Sequence, residues 1–312
     1  MAYAEGIVPR PSARARLFYT DHCALPLPAG HRFPIAKYRL LRERLEADGG
    51  FMLEAAPLAD VATIELAHDP AYVRAFVEGR LGDAAMRRIG FPWSEGLVKR
   101  TLASVGSTLA ATREALDCGW GGTLAGGTHH AFRGEGSGFC VFNDIAVAIC
   151  RSRAARGVRR AAVVDLDVHQ GDGTAEIFRD DSDALTLSVH CKNNFPLRKQ
   201  QSRIDVELEA GTGDEMYLET LAGVLPKVRE FRPEVVFYQS GVDGLAEDRL
   251  GKLALTLAGL RERDRKVMEM ARAAGVPLVI TMGGGYAEPI GLTVEAHGNT
   301  LGMAREIMRR GE

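Results

Sequence analysis

The 312-residue sequence has little of what marks secreted, membrane-bound or nucleic-acid-binding proteins. Its five cysteines are an odd set without a CxxC pair, which argues against a disulfide framework and a cysteine-rich zinc site. No apolar run is long enough to cross a bilayer, and no apolar signal core lies near the N-terminus. The formal net charge is −2 and no basic cluster stands out, so we expect no direct nucleic acid partner. These absences favour a cytoplasmic protein without a membrane partner.

Predicted strands and helices alternate along the chain, which is typical of a parallel sheet covered by helices on both faces. Apolar runs bounded by turn signals predict strands at 15–19, 123–125, 161–164, 184–189, 235–240 and 277–281. Helical spacing predicts helices at 35–47, 94–118, 214–231, 257–274 and 292–309, with further helices beginning near Asp69 and Asn143. We therefore predict an α/β fold in one domain spanning 1–312, in which 1–14 form a loose leader.

Acidic and histidine side chains follow the predicted strand at 161–164, in the stretch AAVVDLDVHQGDG. Asp165, Asp167 and His169 occupy alternate positions, so they point to one side where the strand runs into a loop. Buried charges are tolerated when they are paired or bound to a metal. The alternative is a strand end whose acids are solvated or cap the next helix.

Asp243 is the candidate third ligand, because it follows another predicted buried strand, VVFYQSG. Ligands gather at the carboxyl ends of the strands in open parallel sheets. Asp167, His169 and Asp243 would form an oxygen and nitrogen site with an open position, which is typical of catalytic metals. Zinc is the first choice and ferrous iron the second. Alternatively, Asp243 caps a helix or pairs with Arg249.

Two adjacent histidines, His129 and His130, follow a Gly-Gly pair and a threonine. One of them could act as a general base, while the other orients substrate or carries a proton. A base histidine needs an acceptor on its far ring nitrogen, and Asp165 and Asp172 are available for that role. The alternative is one core histidine and one surface histidine.

Tyr286 follows three glycines and could donate a hydrogen bond to an oxyanion. The alternative is a loop tyrosine packed on a rim. The glycine run fits neither GxGxxG nor the P-loop pattern. Gly138, Phe139 and Phe195 are candidates for an apolar channel wall.

Taken together, these motifs resemble those of the histone deacetylase family of zinc-dependent deacylases, within the arginase–deacetylase superfamily. The matching stretches are GGTHHAFRGEGSGFCVFND, VVDLDVHQGDG, LSVH at 187–190, SGVDGLAEDRLG and GGGY. The resemblance implies an arginase-like α/β fold and hydrolysis of an acylated amine, typically the ε-amide of lysine. The segments HRFP, GFPWSEG and HQGDG look most like the class IV branch and its bacterial homologues.

The resemblance also implies roles for individual residues. Asp167, His169 and Asp243 match the zinc ligands. His130 matches the general base and acid with Asp172 as its partner, and His129 matches the second histidine with Asp165 behind it. Tyr286 matches the tyrosine that polarises the acyl carbonyl, and Gly138, Phe139 and Phe195 match the acyl-lysine tunnel. A potassium ion is held in relatives at the positions matching Asp165, Asp167, His169, Ser188 and Val189.

Two departures leave the substrate open. The metal strand reads HQGDG where the best-known members read HHGDG, and GFPW at 90–93 lacks the aspartate that in many relatives holds the substrate peptide backbone. Acylated lysine in a protein or peptide is the first expectation, with acyl length open. The alternatives are small acylated amines such as acetylpolyamines and, from another functional class, a non-catalytic acyl-lysine binding module. The oligomeric state cannot be inferred from the sequence.

Overall fold

The computed structural model describes residues 15–308, which form eight strands and ten helices. The strands are β1 Ala15–Tyr19, β2 Phe51–Ala55, β3 Trp120–Thr123, β4 Ala161–Asp165, β5 Ala184–Cys191, β6 Ile204–Leu208, β7 Val235–Gln239 and β8 Leu278–Thr281. The helices are α1 Ala36–Asp48, α2 Val61–Ile64, α3 Pro70–Val77, α4 Asp83–Ile89, α5 Glu95–Cys118, α6 Asp144–Arg156, α7 Asp172–Ile177, α8 Asp214–Glu230, α9 Leu257–Ala274 and α10 Ile290–Ile307. The leader predicted at 1–14 lies outside the described residues.

All eight strands belong to one parallel sheet in the order β2-β1-β3-β8-β7-β4-β5-β6. Successive side chains of the central strands point to opposite sides of the sheet, and they are apolar on both sides. Helices therefore cover both faces of the sheet. In β4, Ala162 and Val164 pack in the apolar cluster with α1, α8, α9 and α10, whereas Val163 packs in the cluster with α5 and α6. The predicted α/β class and parallel sheet are confirmed.

Helix ends follow the capping residues in the sequence. Ser94 begins α5 by accepting from the backbone N–H of Leu97 at 3.0 Å, and Gly119 ends it with φ of 96°. Asp69 and Pro70 begin α3, and Gly275 ends α9. Capping hydroxyls and left-handed glycines satisfy the backbone groups that a helix end leaves free.

The edge strands were not predicted. Strand β2, with the sequence FMLEA, and strand β6, with IDVEL, lie at the two ends of the sheet and are partly exposed. Their mixed composition lacks the continuous apolar run of a buried strand. Strand β3 also begins three residues before the predicted 123–125. Strand β4 ends at Asp165, so Asp167 and His169 lie in the following loop rather than on the strand.

The loops after five neighbouring strands meet at one edge of the sheet. In spatial order these strands are β3, β8, β7, β4 and β5. They lead to His129-His130, Tyr286, Asp243, the Asp167–His169 stretch and Phe195, respectively. No helix within 15–308 combines the length and apolar character needed to cross a membrane.

Candidate active site

Asp167, His169 and Asp243 converge at this edge, all buried, and each offers a ligand atom within 4.8 Å of the others. The Nδ1 atom of His169 lies 3.0 Å from Oδ1 of Asp167 and 3.1 Å from Oδ2 of Asp243. The remaining carboxylate oxygens accept backbone N–H groups, from Gly284 at 2.7 Å and from Val168 at 2.9 Å. The loops therefore hold both carboxylates in fixed orientations.

The alternative partner for Asp243 does not contact it. Arg249 instead lies with its guanidinium 3.4 Å from the carboxylate of Glu288, and both side chains are exposed. The backbone N–H of Gly284 donates to Asp167 rather than to Asp243. Within residues 15–308, His169 and the backbone N–H of Val168 orient Asp243, which keeps its carboxylate available as a ligand.

The charges of this group fit a divalent cation. Burial lowers the pKa of His169, but its hydrogen bonds with Asp167 and Asp243 outweigh burial and raise the pKa to about 10. Burial, together with repulsion from Asp167, raises the pKa of Asp243 to about 7. Two buried carboxylates thus attract a positive charge, which a proton on His169 supplies when no metal is bound. Two oxygens and one imidazole nitrogen also suit zinc or ferrous iron.

The adjacent histidines each have their own carboxylate. His129 Nδ1 lies 2.7 Å from Asp165 Oδ2, and His130 Nδ1 lies 2.6 Å from Asp172 Oδ1. The two rings are 4.1 Å apart between centroids, and all four side chains are buried. The alternative of one core and one surface histidine is therefore wrong.

The two histidines differ in their electrostatic surroundings. Burial lowers the pKa of His129, but Asp165 and Asp167 outweigh it and raise the pKa to about 9. Burial and the neighbouring charge on His129 lower the pKa of His130 to about 4. His130 is consequently neutral near pH 7, with Nδ1–H donated to Asp172 and Nε2 available to accept a proton.

A buried carboxylate shapes the loop that carries both histidines. Asp144, in the first turn of α6, accepts the backbone N–H groups of Gly127 at 2.9 Å and Thr128 at 2.7 Å. Gly126 and Gly127 both have φ of 75°, a region that glycine enters without strain. Asn143, where the sequence places the start of this helix, caps it by accepting the backbone N–H of Ala146 at 3.0 Å, whereas Asp144 holds the turn.

Tyr286 lies at the side of the pocket, with its backbone N–H 2.6 Å from Asp248 Oδ2. Burial raises the pKa of Tyr286, so the phenol keeps its proton and can donate it. Lys37 lies behind this loop, 1% exposed, with Nζ 5.3 Å from the Tyr286 ring centroid. It donates to the carbonyl oxygens of Gly283 at 3.2 Å and Gly285 at 3.4 Å, and so holds the glycine run.

A pocket of about 650 Å³ leads from the surface to these groups. Phe139 and Phe195 line it, and the Phe195 ring lies edge-on to His130 with centroids 4.9 Å apart. A side chain at Gly138 would place its Cβ 2.7 Å from the His130 ring and 3.1 Å from Phe195, so only glycine fits there without displacing a ring. The residues predicted for an apolar channel wall thus lie together at the pocket.

The residues predicted to hold potassium lie in the Asp167–His169 loop and at the ends of the neighbouring strands β4 and β5. Asp165 and Ser188 are paired on adjacent strands β4 and β5, and both are buried. The Ser188 hydroxyl is 2.9 Å from His190 Nδ1. This arrangement brings Asp165, Asp167, His169, Ser188 and Val189 into one region, and potassium binding there stays a prediction.

Sequence reasoning missed two buried cations, Arg263 and Lys37, that donate hydrogen bonds to the loops of the site. Arg263, fully buried on α9, donates to the carbonyl oxygens of Gly241 at 2.5 Å and Leu166 at 3.3 Å. In the sequence these two residues come shortly before the candidate metal ligands Asp243 and Asp167. Asp264 balances its charge at 2.8 Å. A signal was available, because Arg263 shares the apolar face of α9 with Leu260 and Val267 at i−3 and i+4. Lys37 shares a face of α1 with Leu41 in the same way.

The fold and the site together define an α/β enzyme with a buried Asp-His-Asp group that can hold a metal and a histidine–aspartate pair at the base of a pocket lined by aromatic rings. Comparison with known proteins agrees, since the model of the histone deacetylase domain matches residues 31–300. The chain therefore belongs to the histone deacetylase family and is a hydrolytic enzyme of the deacetylase type.

Relatives of several kinds are similar to this chain. An uncharacterized protein of Picosynechococcus sp. is 47% identical over 93% of this chain and 98% of its own length. The histone deacetylase-like amidohydrolase of Pseudomonas aeruginosa is 32% identical over 84% of this chain and 74% of its own. Histone deacetylase 2 of Arabidopsis thaliana is 37% identical over 58% of this chain, and the match spans only 48% of that protein.

Proposed function

We propose that this protein hydrolyses the amide of acylated lysine side chains, using a divalent metal, zinc first, held by Asp167, His169 and Asp243. The observation that supports this most is the placement of His130 and Asp172 beside the Asp-His-Asp group, at the base of a pocket walled by aromatic rings. Such a pocket fits an extended alkyl chain that ends in an amide. We also propose that 1–312 act as one catalytic domain in the cytoplasm, where the five cysteines stay unpaired, as they are in the structure.

His130 moves the protons in this proposal. Its Nδ1–H donates to Asp172, which leaves Nε2 to take a proton from the attacking water. The water oxygen bonds to the amide carbon, the C–N bond breaks, and His130 returns the proton to the leaving amine. His129, held by Asp165, keeps its own proton and contributes positive charge beside the developing oxyanion.

The oxyanion needs donors on its other side. The Tyr286 hydroxyl, protonated and fixed by its loop, donates a hydrogen bond to the carbonyl oxygen as negative charge develops there. Asp167, His169 and Asp243 would hold the divalent cation, which would supply positive charge to polarise the amide carbonyl and lower the pKa of water. Phe139 and Phe195 line the pocket above these groups, so a bound alkyl chain between them would displace water and strengthen the electrostatic interactions.

Turnover by the zinc-loaded protein tests the proposal directly. The substrates are one lysine peptide bearing an acetyl, octanoyl or myristoyl group, with acetylspermidine alongside. We expect hydrolysis of at least one peptide, and the ranking of the chains measures the depth of the channel. Cleavage of acetylspermidine alone would move the function to small acylated amines. No hydrolysis at all by protein with stoichiometric metal would favour a binding module.

A further inference from the structure

The mouth of the pocket carries positive charge. Arg32, Arg87 and Arg88 line it and are exposed. The only carboxylates among the lining residues of the described chain are Asp167 and Asp243, which are buried at the base. The whole chain has a formal net charge of −2, so this concentration of arginine is local to the pocket mouth.

The three arginines lie on one wall, and the backbone holds that wall together. Arg87 and Arg88 are in the last turn of α4. The carbonyl oxygen of Arg88 accepts the N–H of Gly138 at 3.2 Å, next to the channel residue Phe139. His31, which precedes Arg32, has Nε2 3.0 Å from the carbonyl oxygen of Gly90, just after α4.

Two of the three arginines, Arg32 and Arg87, are available to a ligand. Arg88 lies 3.0 Å from the carboxylate of Glu135, which neutralises it. Arg32 and Arg87 form no ion pair with any residue in 15–308. An exposed arginine of this kind favours a carboxylate, which its planar guanidinium binds through two parallel hydrogen bonds.

The loop after β5 presents two exposed apolar side chains, of which Phe195 lines the pocket. Phe195 is 41% exposed and Leu197 is 93% exposed, on the loop after β5. Lys199 lies under this loop and donates to the carbonyl oxygens of Asn194 and Pro196, each at 2.7 Å. A partner that fits the mouth therefore has an anionic group on the α4 side and apolar atoms on the Phe195 side.

We propose that the mouth selects acyl-lysine in acidic peptide segments, with an Asp or Glu side chain near the acylated lysine contacting Arg32 and Arg87. This rests on the proposed function and adds the charge of the substrate to it. The same field repels acetylpolyamines, whose remaining amines are cationic. A peptide is favoured over a small molecule because the exposed Phe195 ring, and Leu197 further along its loop, can pack against flanking residues.

The test compares acetyl-lysine peptides that differ only at the flanking positions, with Glu, Gln or Lys, at about 20 mM and about 200 mM salt. We expect kcat/KM to fall from the Glu to the Gln to the Lys peptide by roughly twofold to fivefold at each step in low salt, the scale of exposed charge pairs. The differences should shrink in high salt. Acetylspermidine and free Nε-acetyl-lysine are expected to be slower than the Glu peptide.

Charge reversal makes the test specific. The double variant Arg32→Glu, Arg87→Glu should invert the order of the Glu and Lys peptides. The control Arg272→Glu introduces a charge reversal in the last turn of α9, at the sheet edge opposite the pocket, and should keep the wild-type order.

Equal kcat/KM for the Glu and Lys peptides, or an order that the double variant does not change, would overturn the inference alone. Free Nε-acetyl-lysine cleaved as fast as the Glu peptide would overturn the peptide assignment. Failure of the zinc-loaded protein to hydrolyse any of the peptides would overturn both the inference and the proposed function.

Discussion

The base and the mouth of the pocket are both charged, but they differ in sign and in how their charges are held. At the base, Asp165, Asp167, Asp172 and Asp243 are buried, and each contacts a histidine. At the mouth, the arginine side chains are exposed. Charges at the base have fixed partners and little water, whereas those at the mouth are screened by solvent and salt.

Because of this difference, the base and the mouth of the pocket can perform different functions. Buried, oriented groups shift pKa values and stabilise developing charge, because their partners do not have to reorganise. Exposed arginines interact weakly with any one partner and discriminate between substrates by the sign of their charge. We therefore expect large effects from changes at the base and small, salt-dependent effects at the mouth.

Asp243→Asn should have the largest effect, because it removes one of the three proposed metal ligands. We expect loss of stoichiometric metal and a fall in turnover of about 1000-fold or more, since a metal supplies several kcal/mol of charge stabilisation. Metal content after dialysis and kcat/KM measure this. Asp180→Asn, an exposed acid, is the matched control. An Asp243→Asn protein with tight metal and full turnover would remove Asp243 from the ligand set.

Arg263→Met tests the buried cation that donates to the loops carrying Asp167 and Asp243. Removing one partner of a buried ion pair leaves Asp264 uncompensated, and we expect a loss of about 3–5 kcal/mol in the free energy of unfolding. Urea unfolding of the metal-free protein measures it. Arg265→Met is the control on the same helix, because Arg265 pairs only with exposed or partly exposed glutamates and should cost less than about 1 kcal/mol. Equal losses of unfolding free energy in Arg263→Met and Arg265→Met would contradict the distinction between a buried and an exposed ion pair.

His130→Ala and Tyr286→Phe test the proton carrier and the oxyanion donor. Each should lower kcat by about 100-fold or more, which corresponds to about 2.7 kcal/mol. Metal content should stay close to wild type in both variants, and thermal unfolding should stay close to wild type in Tyr286→Phe. His130→Ala leaves the buried Asp172 without its histidine and should unfold at a lower temperature. The controls are His22→Ala and Tyr19→Phe, outside the pocket lining. Full activity in both pocket variants would refute the proposed mechanism.

His68 can be compared with the histidines at the base of the pocket. It is also a buried imidazole, but its hydrogen-bond partners are backbone groups rather than carboxylates. Its Nδ1 lies 3.2 Å from the carbonyl oxygen of Arg133, and its Nε2 accepts the N–H of Asn143 at 2.8 Å. Burial lowers the pKa of His68 to about 4. The folded state therefore favours the neutral ring, while the unfolded chain takes up a proton near pH 6.5.

The stability that His68 contributes is present above about pH 6.5 and is lost as the pH falls towards 4. Between about pH 7 and pH 5 we expect a loss of about 2 kcal/mol in the free energy of unfolding from this group. Urea unfolding at both pH values should show a smaller pH dependence in His68→Gln than in the wild type. His22→Gln, an exposed control, should keep the wild-type pH dependence. Equal dependence in wild type and His68→Gln would contradict the assignment.

Much of the fold could be predicted from the sequence, because buried strands and capped helices carry local signals. The continuous apolar runs of β4 and β7 and the caps of α5 and α9 are examples. The edge strands β2 and β6 were missed because half-exposed strands carry a weaker pattern. The turn role of Asp144 was missed because it depends on a loop that precedes the residue by sixteen positions.

The sequence by itself determined the chemistry that is available: the histidine pair, the acids after β4 and β7, and the tyrosine after the glycine run. It also determined the α/β class, because periodicity and capping act over a few residues. Only the tertiary structure decided which groups meet. The strand order β3-β8-β7-β4-β5 brings His130 next to Asp172. Helix packing places Lys37 and Arg263 behind the loops of the site. The fold also places three arginines at the mouth of the pocket. Contacts between distant segments follow from how all the apolar surfaces pack together, and no local pattern records that packing.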